Sequence, residues 1–110
     1  MIVREVVEQL GWDVLAGADH LGAEVTGGYA ADLLSCVMAG AEAGELWITL
    51  QTHANIVAVA SLLGISAIVV AEGAPVPETT LSKADDQGIA IVSSKKPVYE
   101  TVAQLIALDI

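Results

Sequence analysis

Apolar positions recur along this chain at two periods, and the period changes at glycines. Val3, Val6, Val7 and Leu10 stand at i, i+3, i+4 and i+7. That spacing makes one stripe of a helix over roughly residues 2–10. Gly11 follows where a left-handed residue ends a helix. Asp13 to Gly17 reads as a short strand. A loop with Gly22 leads to a second short extended piece near Glu24-Val25-Thr26, and Gly27-Gly28 reads as a turn, because paired glycines permit positive φ. The next helix is expected at roughly residues 30–41, with Leu33, Leu34, Val37, Met38 and Ala41 on its apolar face.

The second half of the chain alternates more regularly. Leu46 to Leu50 is a strand, and Thr52 is placed to cap the helix that carries Ile56, Val59, Ala60 and Leu63. Gly64 ends that helix. Ala67 to Ala71 is a central strand. A helix of roughly residues 79–87 follows a Pro-bearing loop and stops at Gly88. Ile89 to Val92 is another strand, and Pro97 suits the first turn of a last helix that buries Val98, Val102, Leu105 and Ile106. Strand–helix alternation implies an α/β fold: an open, mostly parallel sheet of four to five strands, with helices on both faces. The uninterrupted apolar strands agree, because parallel strands are covered on both sides.

Residues 54–71 carry no charge. About 18 apolar residues can span a bilayer. Here the helical period gives way at Gly64 to the β-branched run Ile68-Val69-Val70, so a buried helix followed by a buried strand is the better reading. No membrane association is expected.

Composition adds three constraints. The 110 residues make one ordinary domain, 1–110, with no long linker, low-complexity segment or convincing repeat. Hydrophobic residues reach 55% before glycine is counted, whereas typical domains reach roughly 45–50% with glycine included. The excess points to burial against a second copy, a homodimer, or against a partner protein. Fourteen acidic residues face four basic ones, for a net charge of −10. That argues against nucleic acid and against an anionic membrane surface. The single Cys36 forms no intrachain disulfide, and no secretory leader is visible; both fit a cytoplasmic location. Cys36 sits in an apolar helical stretch and reads as a small core residue. Trp12 and Trp47 read as core or interface residues.

Ligands of open parallel sheets bind beyond the carboxyl ends of the strands. The candidate loops are therefore those after the strands. Thr26, Gly27 and Gly28 offer close backbone approach and free N–H groups for an anion, or merely a tight turn. Gln51, Thr52, His53 and Asn55 open a helix, where N–H groups attract anions; capping by the same residues is the plain alternative. Ser93, Ser94, Lys95 and Lys96 follow the last strand and hold half of the basic residues. Two lysines beside serines suit a phosphate or carboxylate, and an exposed turn is the plainer explanation. The loop Glu72 to Glu78 reads as a rim without chemistry. No GxxxxGK[S/T], GxGxxG, metal-ligand spacing or nucleophile triad occurs, so no metal or cofactor is implied.

The run Glu24-Val25-Thr26-Gly27-Gly28, followed by Tyr29-Ala30-Ala31-Asp32-Leu33-Leu34-Ser35, then by Gly44 to His53 and by Ile56 to Ala60, resembles the DRTGG domain family over nearly the whole chain. The resemblance implies an α/β accessory domain. Such domains stand beside catalytic or sensor domains in phosphotransacetylases, CBS-containing inorganic pyrophosphatases and the kinase/phosphatase of the sugar-transport phosphocarrier. Their association is with regulation and dimer contacts, without established catalytic residues. This chain departs from the motif at Glu24 and Val25, and the loss of an Arg removes an anion-pairing group. The expectation is a regulatory, ligand-sensing module, a homodimer without catalysis, taking a small anionic or nucleotide-like ligand. The alternatives are a pure interaction module serving a metabolic enzyme and, more remotely, a small enzyme using His53.

Overall fold

The computed structural model describes residues 1–110. Helix α1 (Val3–Leu10) buries Val3, Val6 and Val7, and Gly11 caps it at φ 67°. Strand β1 (Asp13–Ala16) follows, then a short 3-10 turn at Ala18–His20. The remaining order is β2 (Gly27–Ala30), α2 (Leu34–Gly40), β3 (Glu45–Thr49), α3 (Asn55–Leu63), β4 (Ala67–Val70), α4 (Glu78–Gln87), β5 (Ile91–Ser93) and α5 (Val98–Ala107).

The five strands form one sheet in the order β1-β5-β4-β3-β2. β2, β3, β4 and β5 run parallel, and β1 joins β5 antiparallel, with Asp13 opposite Ser93. The fold is thus a mostly parallel α/β sheet, as the alternation implies. Helices α2, α3 and α4 cover one face, where they pack on Trp47, Ile68, Val70 and Ile91. Successive parallel strands stepping one way across a sheet put their crossovers on one side when all share one hand. Helices α1 and α5 cover the other face, over Leu46, Ile48, Val69 and Val92. Neighbouring positions of β3 and β4 thus feed opposite cores, which is why these strands read as unbroken apolar runs.

Two boundaries differ from the sequence reading. Gly27 and Gly28 are not a turn but the start of β2, paired with Glu45 and Leu46. Neither has positive φ. The segment before them is held by other means: Thr26 N donates to Gly44 O (2.9 Å) and Thr26 Oγ1 donates to Ala43 O (3.1 Å). Glu24 forms an isolated bridge with Ile2 rather than part of a strand, and its carbonyl accepts the Ser66 hydroxyl at 2.7 Å. α2 consequently starts at Leu34, because the chain is still completing β2 and its exit at Ala31. There the carbonyl of Ala31 accepts the indole N–H of Trp47 at 2.8 Å.

Trp12 and Trp47 are both buried. Cys36 is not: it is exposed on α2, whose one buried position is Val37. The apolar excess appears partly at the surface, with Tyr99 86% and Ile106 63% exposed on α5. No helix is long and apolar enough to cross a membrane.

Candidate functional site

Parallel strands have a common carboxyl edge, and the topology decides which loops reach it. The exits of β2 (Ala31-Asp32), β3 (Leu50 onward), β4 (Ala71 onward) and β5 (Ser94 onward) lie there. The α1–β1 turn, Gly11-Trp12, joins them, because β1 is antiparallel and begins opposite Ser93. Thr26 and Gly27 do not. They lie at the entrance of β2, beside the entrance of β3. The expected common rim for all three loops is therefore corrected. The 51–55 and 93–96 loops share an edge, and Thr26-Gly27-Gly28 starts from the opposite one.

The 51–55 loop is held through its backbone and His53 Nδ1. Thr49 Oγ1 donates to Asp32 Oδ1 at 2.8 Å and accepts from Gln51 N at 3.0 Å. Asp32 Oδ1 also accepts from Leu50 N at 2.8 Å. His53 Nδ1 accepts from Asn55 N at 3.1 Å, and the N-cap position of α3 is Ala54, not the expected Thr52. The carbonyl of Thr52 accepts the buried Thr80 hydroxyl at 2.8 Å, which ties this loop to α4. Asp32 is the pivot of the loop, although its sequence neighbourhood reads as plain helix.

The 93–96 loop is built around a closed ring of hydrogen bonds. Thr101 Oγ1 donates to Lys96 O at 3.1 Å, so the Ser94 hydroxyl donates to Thr101 Oγ1 at 2.8 Å. Lys96 N donates back to Ser94 Oγ at 3.3 Å. Ser94 and Thr101 are buried. Across the loop, Glu72 N donates to Lys96 O (2.9 Å) and Gly73 N to Ser94 O (2.8 Å), which locks the β4 exit to the β5 exit. Glu72 holds φ 61° there, an uncommon conformation for a residue with a side chain. The ring leaves Lys95 at its apex, exposed, with no carboxylate within ion-pair distance and no protein acceptor for its backbone N–H. Lys96 pairs with Glu100 at 3.9 Å, an exposed contact of small energetic consequence.

Beside this loop lies a crevice of about 190 Å³, lined by Gly11, Trp12, Asp13, Ser93, Ser94, Lys95, Lys96, Leu10 and Gln104. Gln104 comes from α5, and its Oε1 is buried without a hydrogen-bond partner. The crevice does not include Gln51, Thr52, His53 or Asn55. β3 and β5 are separated by β4, so their exits stand about 10 Å apart at the usual strand spacing. The sequence marks Ser93 to Lys96 by charge. It gives no sign of Trp12, Asp13 or Gln104, which arrive by tertiary pairing. No three His, Cys, Asp or Glu side chains converge in metal-binding geometry.

The fold is similar to a solved structure of the CBS and DRTGG domains of the regulatory region of the Clostridium perfringens pyrophosphatase, complexed with its activator diadenosine tetraphosphate. The TM-score is 0.69 at 16% identity, over 94% of this chain and 45% of that chain. This chain thus spans less than half of its neighbour, and the likeness is one of fold. No family model matches the sequence, and no curated protein matches it.

Proposed function

We propose that this chain is a ligand-sensing regulatory module of the DRTGG type. In this reading it acts as a cytoplasmic homodimer and does no chemistry of its own. It takes a small anion at the carboxyl edge of its sheet. The observation that carries this reading is the crevice beside Ser93, Ser94 and Lys95, which holds two of the four basic residues of a chain with net charge −10. A cation concentrated at a concave carboxyl edge is where an open α/β sheet receives an anion. The structural likeness to a regulatory region crystallised with a nucleotide activator supports the same class of role. Gln51, Thr52, His53 and Asn55 flank the site and close it only if the ligand reaches past β4.

A thermal-shift screen with nucleotides, acyl phosphates and small carboxylates tests the reading. Stabilisation grows with ligand concentration above Kd. Stabilisation by one class at millimolar concentration is expected. A flat response to all of them removes the sensing role.

A second reading has its own support. The outer face of α5, with Val98, Tyr99, Val102, Ala103 and Ile106, is apolar and uncovered. That is what an interaction module docking on itself or on a metabolic enzyme presents. Light scattering separates the cases: dimer formation without any ligand response leaves the interaction module alone.

A further inference from the structure

β2 closes one end of the sheet, with β3 on one side and no strand on the other. Backbone groups along a strand point alternately to its two sides. Ala31 N donates to Ile48 O at 3.2 Å, so the backbone groups of Tyr29 and Ala31 face β3. The N–H and C=O groups of Gly28 and Ala30 therefore point away from the sheet, at exposed positions. Edges of this kind are commonly blunted by a charge or a proline. Gly27-Gly28-Tyr29-Ala30 carries neither.

Along the same residues an apolar recess of about 160 Å³ opens between β2 and α5, lined by Gly28, Ala30, Ile48, Val102, Leu105 and Ile106. An apolar cavity of about 150 Å³ holds one benzene ring, so one Leu- or Phe-sized side chain fills this recess. Gly28 leaves it open. A Cβ there would meet Ile48 Cδ1 at 3.5 Å and Leu46 O at 3.7 Å, which is contact without overlap.

A free strand edge beside a recess for one side chain is the geometry of β-augmentation. Main-chain hydrogen bonds hold the added strand, and the pocket selects one of its alternate side chains. A second copy offering its own β2 does not satisfy the site. On the α5 side that strand carries only Gly28 and Ala30, which leave the recess empty. Antiparallel pairing would also bring Glu45, whose Oε2 lies 3.3 Å from the Cβ position of Gly27 at the entrance of β2, toward Asp32 at the exit of the other copy. Residues 24–54 hold Glu24, Asp32, Glu42 and Glu45 and no lysine or arginine, so the complementary strand has cationic flanks.

We infer that the β2 edge docks an extended segment of another polypeptide. The segment adds a strand to the sheet, places one large apolar side chain in the recess and carries basic residues on either side of it. This site lies at the opposite end of the sheet from the Lys95 crevice and does not depend on an anion binding there.

The probes are fluorescein-labelled peptides titrated against the intact protein by fluorescence polarisation: Lys-Thr-Leu-Thr-Lys, its Phe and Gly counterparts at the centre, and Glu-Thr-Leu-Thr-Glu. The Leu or Phe peptide is expected to saturate below about 1 mM and to bind about 10-fold or more tightly than the Gly peptide. Glutamate flanks weaken the Leu peptide about 5-fold or more at low salt. N-methylation of the central residue and of its neighbour should differ, because only one of the two N–H groups faces the edge: one abolishes binding and the other changes it less than about 3-fold. Gly28→Val, and separately Ala30→Val, fill the recess and bring the Leu peptide down to the affinity of the Gly peptide, with melting curves confirming that both variants fold. Lack of saturation by both the Leu and Phe peptides at about 1 mM overturns the inference. Equal affinity for Leu and Gly, or equal effects of the two N-methylations, does the same. A parent dimer that Gly28→Val converts to monomer assigns the edge to a second copy and also overturns it. A saturating Leu peptide beside a flat anion screen leaves this site standing and removes only the sensing role.

Discussion

Ser94 Oγ lies 2.8 Å from Thr101 Oγ1, and both residues are buried. This contact joins the end of β5 to the first turn of α5 and so fixes the loop that carries Lys95. Thr101→Val leaves the buried Ser94 hydroxyl without its acceptor, and Ser94→Ala takes the acceptor from Lys96 N while Thr101 Oγ1 keeps Lys96 O. Thr101→Val and Ser94→Ala are each expected to cost about 1–3 kcal/mol. In a domain of this size 1 kcal/mol lowers Tm by roughly 4 °C. The double variant should lose less than the sum, because each single variant already breaks the shared Ser94–Thr101 bond. Thermal melts of the three variants check this; strict additivity would mean that the two hydroxyls act separately.

Gly17 has a second demand on it besides its backbone angle. Its φ is 70°, and a Cβ built there meets Ile89 O at 2.5 Å and Ala90 Cα at 2.6 Å. Both are backbone atoms next to β5 and cannot swing aside as a side chain tip would. Its N–H also donates to Asp85 Oδ1 at 2.7 Å, which ties the exit of β1 to α4. Gly11 has nearly the same φ, 67°, but open space around its Cβ position. Gly11→Ala should therefore cost about 1–2 kcal/mol, the conformational share alone. Gly17→Ala should cost more than about 3 kcal/mol, since strain and overlap add. Urea denaturation of the pair measures the difference, and equal midpoints would refute the packing argument.

Asp32 is the hub of the β2 and β3 exits. Its Oδ1 accepts from the buried Thr49 hydroxyl and from Leu50 N, both at 2.8 Å. Asp32→Ala leaves the Thr49 hydroxyl without its acceptor, and the expected loss is about 1–3 kcal/mol. Asp32→Asn retains an acceptor oxygen and should recover most of it. If both variants melt like the parent protein, the hydrogen bonds at this exit contribute nothing net.

Much of this fold is visible in hydrophobic period alone. Leu46 to Ile48 and Ala67 to Val70 are buried on both faces, so no polar position interrupts them and the strand reading has no rival. Gly27-Gly28 misleads because glycine at an edge strand looks like glycine at a turn. What separates the two is what stands over the strand. Gly28 and Ala30 line a recess of about 160 Å³ under Val102, Leu105 and Ile106 of α5, a neighbour far along the chain. The site divides the same way. Lys95 and Lys96 stand out as charge in an acidic chain, whereas Gln104 and Trp12 are ordinary until α5 and the antiparallel β1 bring them together. The Cys36 environment fails for a simpler reason: α2 is only seven residues long and buries a single position, too few to continue the apolar face expected of a longer helix.

The outer face of α5 is the surface on which the proposed pairing is tested. Tyr99, Val102, Ala103 and Ile106 stand at i, i+3, i+4 and i+7, one stripe of a helix. Tyr99 and Ile106 are 86% and 63% exposed, and Val102 is half-buried. No charged side chain interrupts the stripe, although the chain carries −10 overall, so two copies can meet here without opposing carboxylates. Covering a side chain such as Ile is worth about 1.5–3 kcal/mol, and a symmetric contact counts each residue twice. Light scattering is expected to give about twice 11.3 kDa for the parent protein. Ile106→Glu should give the monomer mass, because each dimer would then bury two carboxylates. Leu62 is the control: it is 71% exposed but lies on α3, across the sheet, so Leu62→Glu should leave the dimer intact. A dimer that survives Ile106→Glu and falls apart with Leu62→Glu would move the interface to the opposite face. A monomeric parent would leave α5 without a second copy to cover it.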